Sequence, residues 1–384
     1  MQTTPRIWRH FDIWLLAAVV ILTIAGVAMI QSAIGGNVNL AENVTRQTIF
    51  AGIGLIVVIA AAAVDYRMWS ALARPIYIIT VALLGLIFIA GQVGFGSARW
   101  FNVGVANIQP SELAKILMIL VLADFLSRPR NENQNLRTIF SSLLLMGVPA
   151  VLVLIQPDLS TAIVLMVLWL ALLWASGLPM KYIGIFLAIG LIVFAIAAPF
   201  LFQYFTVEYP QGEDFFFLRN YQMQRIANFL FPNPEESYGS TYNVEQSLIS
   251  IGSGGWFGQG YGYGTQVQLR FLKVRHTDFI FSALAEEFGF AGAALFLIIL
   301  MLVIIRCLRA ARIARDKFGA LISYGVAFLI LFQSAFNVGM NLNLFPVSGI
   351  PLPFFSYGGS SLLVLLLGIG LVESVILRHK KIEL

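Results

Sequence analysis

Charge is what this chain has least of. Asp, Glu, Lys and Arg make up 11% of its 384 residues, against about 25% in soluble domains. Hydrophobic residues make up 59%, and the mean hydropathy is +0.85. A soluble fold is excluded; the composition is that of an integral membrane protein. Cysteine is nearly absent: Cys307 stands alone, so no internal disulfide can form. Histidine occurs only three times. No tandem repeat or low-complexity tract is evident, and no cleavable leader is expected. Arg6, Arg9 and His10 precede an apolar run from Ile13 to Ile30 that is long enough to span rather than be removed.

What the chain has instead is long apolar runs. A hydrocarbon core takes about 20 helical residues, and the runs that qualify are 12–31, 48–64, 75–91, 112–127, 139–156, 160–177, 181–201, 282–306, 319–340 and 357–377. They predict an all-α polytopic fold of about ten transmembrane helices in a single membrane domain, residues 1–384. Orientation follows from where Lys and Arg fall. Arg6, Arg9, Arg67, Arg74, Arg128, Arg130, Arg137, Lys181, the Arg306–Lys317 cluster and Arg378–Lys381 share one side. That side is cytoplasmic and holds both termini. The opposite side carries one large extracytoplasmic loop, 202–281, between the seventh and eighth helices. The net charge of +5 follows from this bias and gives little support to nucleic-acid binding.

Several polar residues need a reason in such a chain. Glu112 and Lys115 lie i, i+3 on the fourth span and share a face. They are either a structural ion pair or the lining of a polar cavity. Arg99, beside Trp100 in the preceding loop, is an interface anchor or part of that cavity. Asp158 follows Pro157 and precedes Ser160 and Thr161, a pattern suited to capping a helix; the alternative is a substrate-binding carboxylate. In the long loop, Arg219 and Arg225 flank Ile226, Phe229 and Leu230, as in an amphipathic helix lying on a membrane with arginines in reach of phosphates. The run Gly252–Gly264 has too much glycine for regular structure. It lacks the strand-to-helix context of a nucleotide loop, so a tight re-entrant turn is expected. The run Phe345–Ser361, with Pro346, Pro351 and Pro353, interrupts membrane-depth sequence, which is tolerated only against protein or a wet cavity. A cavity wall offering Ser356 and Ser360 to a sugar or phosphate is expected there. The loop ends at His276-Thr277-Asp278-Phe279-Ile280-Phe281, which places a carboxylate at the water–lipid boundary.

Taken together, Gly96–Phe101, Gln109–Lys115, Gln156–Thr161, Tyr221–Pro232, Gly252–Gly260, His276–Phe281 with Glu286-Glu287, and Leu352–Ser361 resemble the SEDS family of bacterial membrane proteins. These comprise RodA of cell elongation and FtsW of division. Gly349-Ile350-Pro351-Leu352-Pro353 looks more like RodA. The loop Gln211–Phe217 is longer than the pattern. The resemblance implies a peptidoglycan glycosyltransferase of the bacterial inner (plasma) membrane that polymerises lipid II during cell elongation and shape maintenance. It implies a catalytic role for Asp278. Its usual partners are a single-span class B penicillin-binding protein that performs transpeptidation and other elongation-complex membrane proteins.

The chemistry can be weighed on its own terms. Joining a sugar hydroxyl to an anomeric carbon that leaves a lipid diphosphate needs a base and cations for the departing charge. Asp278 can be the base, with the outer loop carrying the active site. Arg219, Arg225, Lys273, Arg275 and Lys115, with His276 and Thr277 beside the base, can meet the diphosphate. They would do so alone or with a divalent cation, Mg or Mn; no other cofactor is called for. The rival readings are a flippase for a lipid-linked cell-wall precursor and a non-catalytic scaffold. A partner's membrane span could pack on the small residues Gly289, Gly292 and Ala293 of the eighth helix or Gly325, Ala327, Ser334 and Ala335 of the ninth.

Overall fold

The structure is a computed structural model that describes residues 8–35, 40–90, 92–94, 97–102, 107–129, 135–204, 220–232 and 240–379. The helices in chain order are α1 (Ile13–Ile34), α2 (Ala41–Ala63), α3 (Arg67–Ala71), α4 (Ala73–Ala90), α5 (Pro110–Ser127), α6 (Asn135–Ile155) and α7 (Leu159–Ala175). They continue with α8 (Met180–Gln203), α9 (Asn220–Leu230), α10 (Ser240–Ser253), α11 (Thr265–Gln268), α12 (Ile280–Ile313), α13 (Lys317–Asn341) and α14 (Gly359–Leu377). Seven of these are long and apolar enough to cross a membrane: α1, α2, α6, α8, α12, α13 and α14. Shorter apolar helices α4 and α7, and α5 with its Glu112, Lys115 and Asp124, fall on the remaining expected spans. The protein is a polytopic helical membrane protein.

Local signals explain the helix starts. Asp12 caps α1 by accepting from the Leu15 N–H, and Asp316 caps α13 by accepting from Gly319. Pro110 opens α5, where a missing N–H costs nothing. The ends of the described chain meet at one end of the bundle: Glu373 accepts from the Asp12 N–H at 3.1 Å, and the His10 and His379 rings lie 5.0 Å apart. An even number of crossings requires that.

α5 is the central helix. It packs on α4, α6, α7, α13 and α14, and most of its residues are buried, charged ones included. Large apolar side chains stay exposed around the bundle, such as Ile53 and Ile56 on α2, Leu191 and Phe194 on α8 and Ile298 on α12. In water such faces would be adhesive; in lipid they are the solvent-facing surface.

The bundle departs from an all-helical expectation at one place. Between α4 and α5, β1 (Gln92–Gly94), β2 (Ser97–Asn102) and β3 (Asn107–Ile108) form a small antiparallel sheet in the order β1-β2-β3. Its middle strand carries Arg99.

The glycine-rich run is a turn laid directly on α12. Glu286 and Glu287 carbonyls accept from Gln259 and Gly260, and Phe290 and Ala291 donate to Gly255 and Trp256 at 2.8–3.0 Å. Gly289, at φ 65°, breaks α12 at this crossing. A Cβ at Gly258 would stand 2.2 Å from the Glu287 carbonyl oxygen, so backbone-to-backbone packing requires glycine. The small-residue face on α13 is mostly spoken for. Ala327 and Ser334 are buried, and Gly325 faces Ile119 of α5. Of the four expected docking residues there, Ala335 alone is exposed.

Candidate active site

Three consecutive carbonyls hold the His276–Asp278 run. His276 O accepts from the Tyr357 N–H at 3.0 Å, and Thr277 O accepts from Ser356 Oγ at 2.7 Å. Asp278 O accepts from Asn337 Nδ2 at 3.1 Å and Asn341 Nδ2 at 3.0 Å. Both asparagines are fully buried, one turn apart on α13. Asn337 also donates to Ile350 O at 2.8 Å, and Asn341 Oδ1 accepts from the Ser282 N–H. The start of α12, the end of α13 and the 350–357 segment are thereby tied to one backbone point.

The Asp278 side chain is left out of this network. Among the described residues no donor bonds its carboxylate, and the residue is partly exposed. Desolvation by the surrounding protein pushes its carboxyl above the usual range, and Arg225 opposes that only in part. The two groups meet across Gly349. A Cβ on that glycine would lie 3.7 Å from Arg225 Nη1 and 3.9 Å from Asp278 Oδ2. Gly349 has φ +81°, so any side chain there is strained as well. Gly349→Ala is expected to destabilise the protein by about 1–3 kcal/mol. Gly349→Val should add a branched side chain to the gap and lower turnover further than stability. Thermal unfolding and initial rates, measured together, check the ordering.

Arg225 on α9 donates to Ser348 O at 2.9 Å and lines two cavities. The smaller, about 70 Å³, is bounded by Arg99, Asp158, Ser160, Gln222 and Ser348. The larger, about 180 Å³, lies between α9, α10 and the 343–347 segment. Of the expected binding residues, Arg225, Arg99 and Asp158 are therefore brought together.

The others serve different ends. The Asp158 carboxylate is an N-cap as well, accepting from the Thr161 N–H and hydroxyl, Gln109 Nε2 and Ser111 Oγ; it ties α5 to α7. Arg99 donates to the Gln156 and Pro157 carbonyls. Glu112 and Lys115 pair at 2.7 Å and line neither cavity. Ser356 does not offer its hydroxyl to a ligand: it donates to Thr277 and accepts from the Leu352 N–H. Ser360 accepts from the Gln109 N–H at 3.4 Å.

Arg275 is buried and donates to Ala33 and Leu272 carbonyls on the α1 side, far from a diphosphate role. Lys273 is exposed, 6.0 Å from the Tyr242 ring. Burial and the neighbouring Arg275 push His276 below its ordinary value, which favours the neutral ring; it faces Tyr357 at 5.9 Å. Thr277 donates weakly to Val274 O at 3.4 Å. Arg219 and the 211–217 stretch lie outside the described residues. The described residues gather no group of three His, Cys, Asp or Glu that could hold a metal. Sequence reasoning missed Asn337, Asn341, Gly349, Ser348 and Gln222. Two asparagines one turn apart in an apolar span were the available signal.

Comparisons with known proteins cover the whole fold. The family model for FtsW, RodA and SpoVE, described as cell cycle protein, matches residues 9–381. The peptidoglycan glycosyltransferase MrdB of Escherichia coli K12 is 36% identical over 379 residues, 97% of this chain and 95% of that one. A probable peptidoglycan glycosyltransferase FtsW of Geobacter sp. strain M18 is 34% identical over 380 residues, 96% of this chain and 98% of that one. A chain in a solved peptidoglycan synthase complex, described as structural coordination of polymerization and crosslinking, superposes with a TM-score of 0.77 at 29% identity. The match covers 96% of this chain and 98% of that chain. The crystal structure of Rod shape determining protein RodA from Thermus thermophilus gives 0.69 at 29% identity, covering 96% and 97%.

Proposed function

This chain belongs to the FtsW/RodA/SpoVE family of cell cycle proteins, and on that footing we infer that it is a peptidoglycan glycosyltransferase acting in cell elongation. The observation that carries the site is Asp278, a carboxylate without hydrogen bonds among the described residues, on a triply anchored backbone and facing Arg225 across a glycine. In the proposed reaction the Asp278 carboxylate takes the proton from the sugar hydroxyl of the acceptor. The oxygen of that hydroxyl bonds to the anomeric carbon of the donor. The bond from that carbon to the lipid diphosphate breaks, and the diphosphate leaves with both electrons. Arg225, with Arg99 close by, supports the developing negative charge. Lipid II as donor and acceptor fits a diphosphate at a lipid-facing helical bundle. A carboxylate with a raised pKa suits a base that works near neutral pH.

The remaining assignments follow the same reading. Residues 1–384 act as one membrane domain in the bacterial inner membrane, with 202–281 outside the cell. A class B penicillin-binding protein supplies the crosslinking chemistry, supported by the similarity to a chain of a synthase complex. The flippase reading is the weaker one, because the buried ion pair lines neither of the two cavities beside Arg225. Purified protein supplied with labelled lipid II tests the reading: glycan strands support it, and their absence under conditions where the fold is intact refutes it.

The pH profile gives a sharper check. The base works only when deprotonated, so activity falls as pH drops through the pKa of Asp278. That limb should lie above the ordinary aspartate value of about 3.9. Arg225 holds the carboxyl down, so Arg225→Gln should move the acid limb to higher pH while lowering the plateau. A limb that stays put in this variant would argue against the Asp278–Arg225 coupling.

A further inference from the structure

The larger cavity beside Arg225 is left unused by the bond-forming step described above. Its volume, about 180 Å³, is more than twice the 70 Å³ of its neighbour. A water needs roughly 10–15 Å³ of such space, so the smaller cavity holds a few waters and the larger suits a compact solute. Its walls combine the aromatic Phe229 and Phe345 with the polar Asn228, Asn343, Thr241 and Glu245. Thr241 is 7% exposed, and among the described residues its hydroxyl has no hydrogen-bond partner. Buried hydroxyls are normally satisfied, so an orphan on a cavity wall marks a place for a ligand group.

Charge narrows the ligand. Among the described residues that line it, the cavity has one cation, Arg225, which already donates to Ser348 O, and one carboxylate, Glu245. A second diphosphate is disfavoured there; an uncharged polyol with a flat apolar face is favoured. Position narrows it further. The Arg225–Ser348 bond and the stacked rings of Phe336 and Phe345, 4.7 Å apart at 11°, stand between the two cavities. A ligand in the larger one is therefore displaced from the smaller cavity and from the gap at Gly349 between Asp278 and Arg225.

We propose that this cavity is a saccharide subsite that holds an uncharged pyranose ring of the glycan strand, away from the bond being made. The proposal rests on the glycosyltransferase reading above. Two variants of the full chain test it. Leu248→Trp puts an indole into the cavity, and Glu245→Gln removes one acceptor charge at an exposed position with little risk to folding. The first measurement is saturation-transfer NMR with the uncharged disaccharide N,N'-diacetylchitobiose, which needs no turnover. The second is strand length, against the rate of the first coupling, with lipid II.

The unsubstituted chain should bind the disaccharide, and Leu248→Trp should weaken that binding about tenfold or more, a loss of about 1.4 kcal/mol. Both variants should shorten strands more than they slow the first coupling. Binding absent from the unsubstituted chain would overturn the subsite, as would binding and strand length unaltered in both variants. A first-coupling rate that falls in step with strand length would overturn it too, by putting the cavity at the reacting pair. If the chain binds the disaccharide in a Leu248-sensitive way yet makes no glycan, the glycosyltransferase reading fails and the saccharide site stands.

Discussion

Asp278→Asn is expected to lower glycan synthesis by about 10²-fold or more and to leave the fold intact. The backbone at this residue is held through its carbonyl by Asn337 and Asn341, which the substitution does not touch. The carboxylate accepts no hydrogen bond among the described residues, so an amide in its place strands no partner. Stability should hold or rise at neutral pH, and the sign follows from the raised pKa. A carboxyl whose folded value lies above its unfolded value favours folding in its neutral form. That contribution is fully present below the unfolded pKa and is lost as pH rises through the folded one. Above the unfolded value the carboxyl is therefore a net cost to folding, which Asn removes. A thermal shift of zero or upward with loss of turnover is the expected pattern. A well-folded variant that polymerises at near-normal rate would remove Asp278 from the mechanism.

The second large effect belongs to Glu112 and Lys115. Their side chains, 8% and 2% exposed, meet at 2.7 Å one turn apart on the central helix. Removing either leaves the other charge buried and uncompensated, which costs about 3–5 kcal/mol. Glu112→Ala and Lys115→Ala should each lower the unfolding temperature of the detergent-solubilised protein markedly. The exchanged pair, Glu112→Lys with Lys115→Glu, should recover much of the loss. Recovery stays incomplete because Glu112 lies in the first turn of α5, where a cation opposes the helix dipole by about 0.3–1 kcal/mol. Additive losses with no recovery on exchange would contradict a coupled pair.

The helices and their order were legible because runs near 20 apolar residues have few alternatives in a membrane protein. Asp158 was legible as a cap, because Pro-Asp before Ser160 and Thr161 is a local signal. Asp278 stood out because few charges occur and this one ends the long loop. What could not be read depends on distant partners. Arg275 looks like any other cation in the loop, yet its guanidinium is spent on the backbone at the end of α1. Ser356 looks available to a ligand, yet Thr277 holds it. The break at Gly289 exists because the 254–258 backbone crosses α12 there, and nothing within α12 announces that crossing. Asn337 and Asn341 were visible as polar residues in a span, but their common target, the Asp278 carbonyl, lies about sixty residues back in the sequence.

One measurement bears most directly on the account: purified wild-type and Asp278→Asn protein, each alone in vesicles whose only substrate is lipid II labelled in its sugars. The account predicts glycan strands and released lipid diphosphate from the wild type, and intact lipid II with the variant. Lipid II that changes leaflet without forming glycosidic bonds, equally with both proteins, would contradict it.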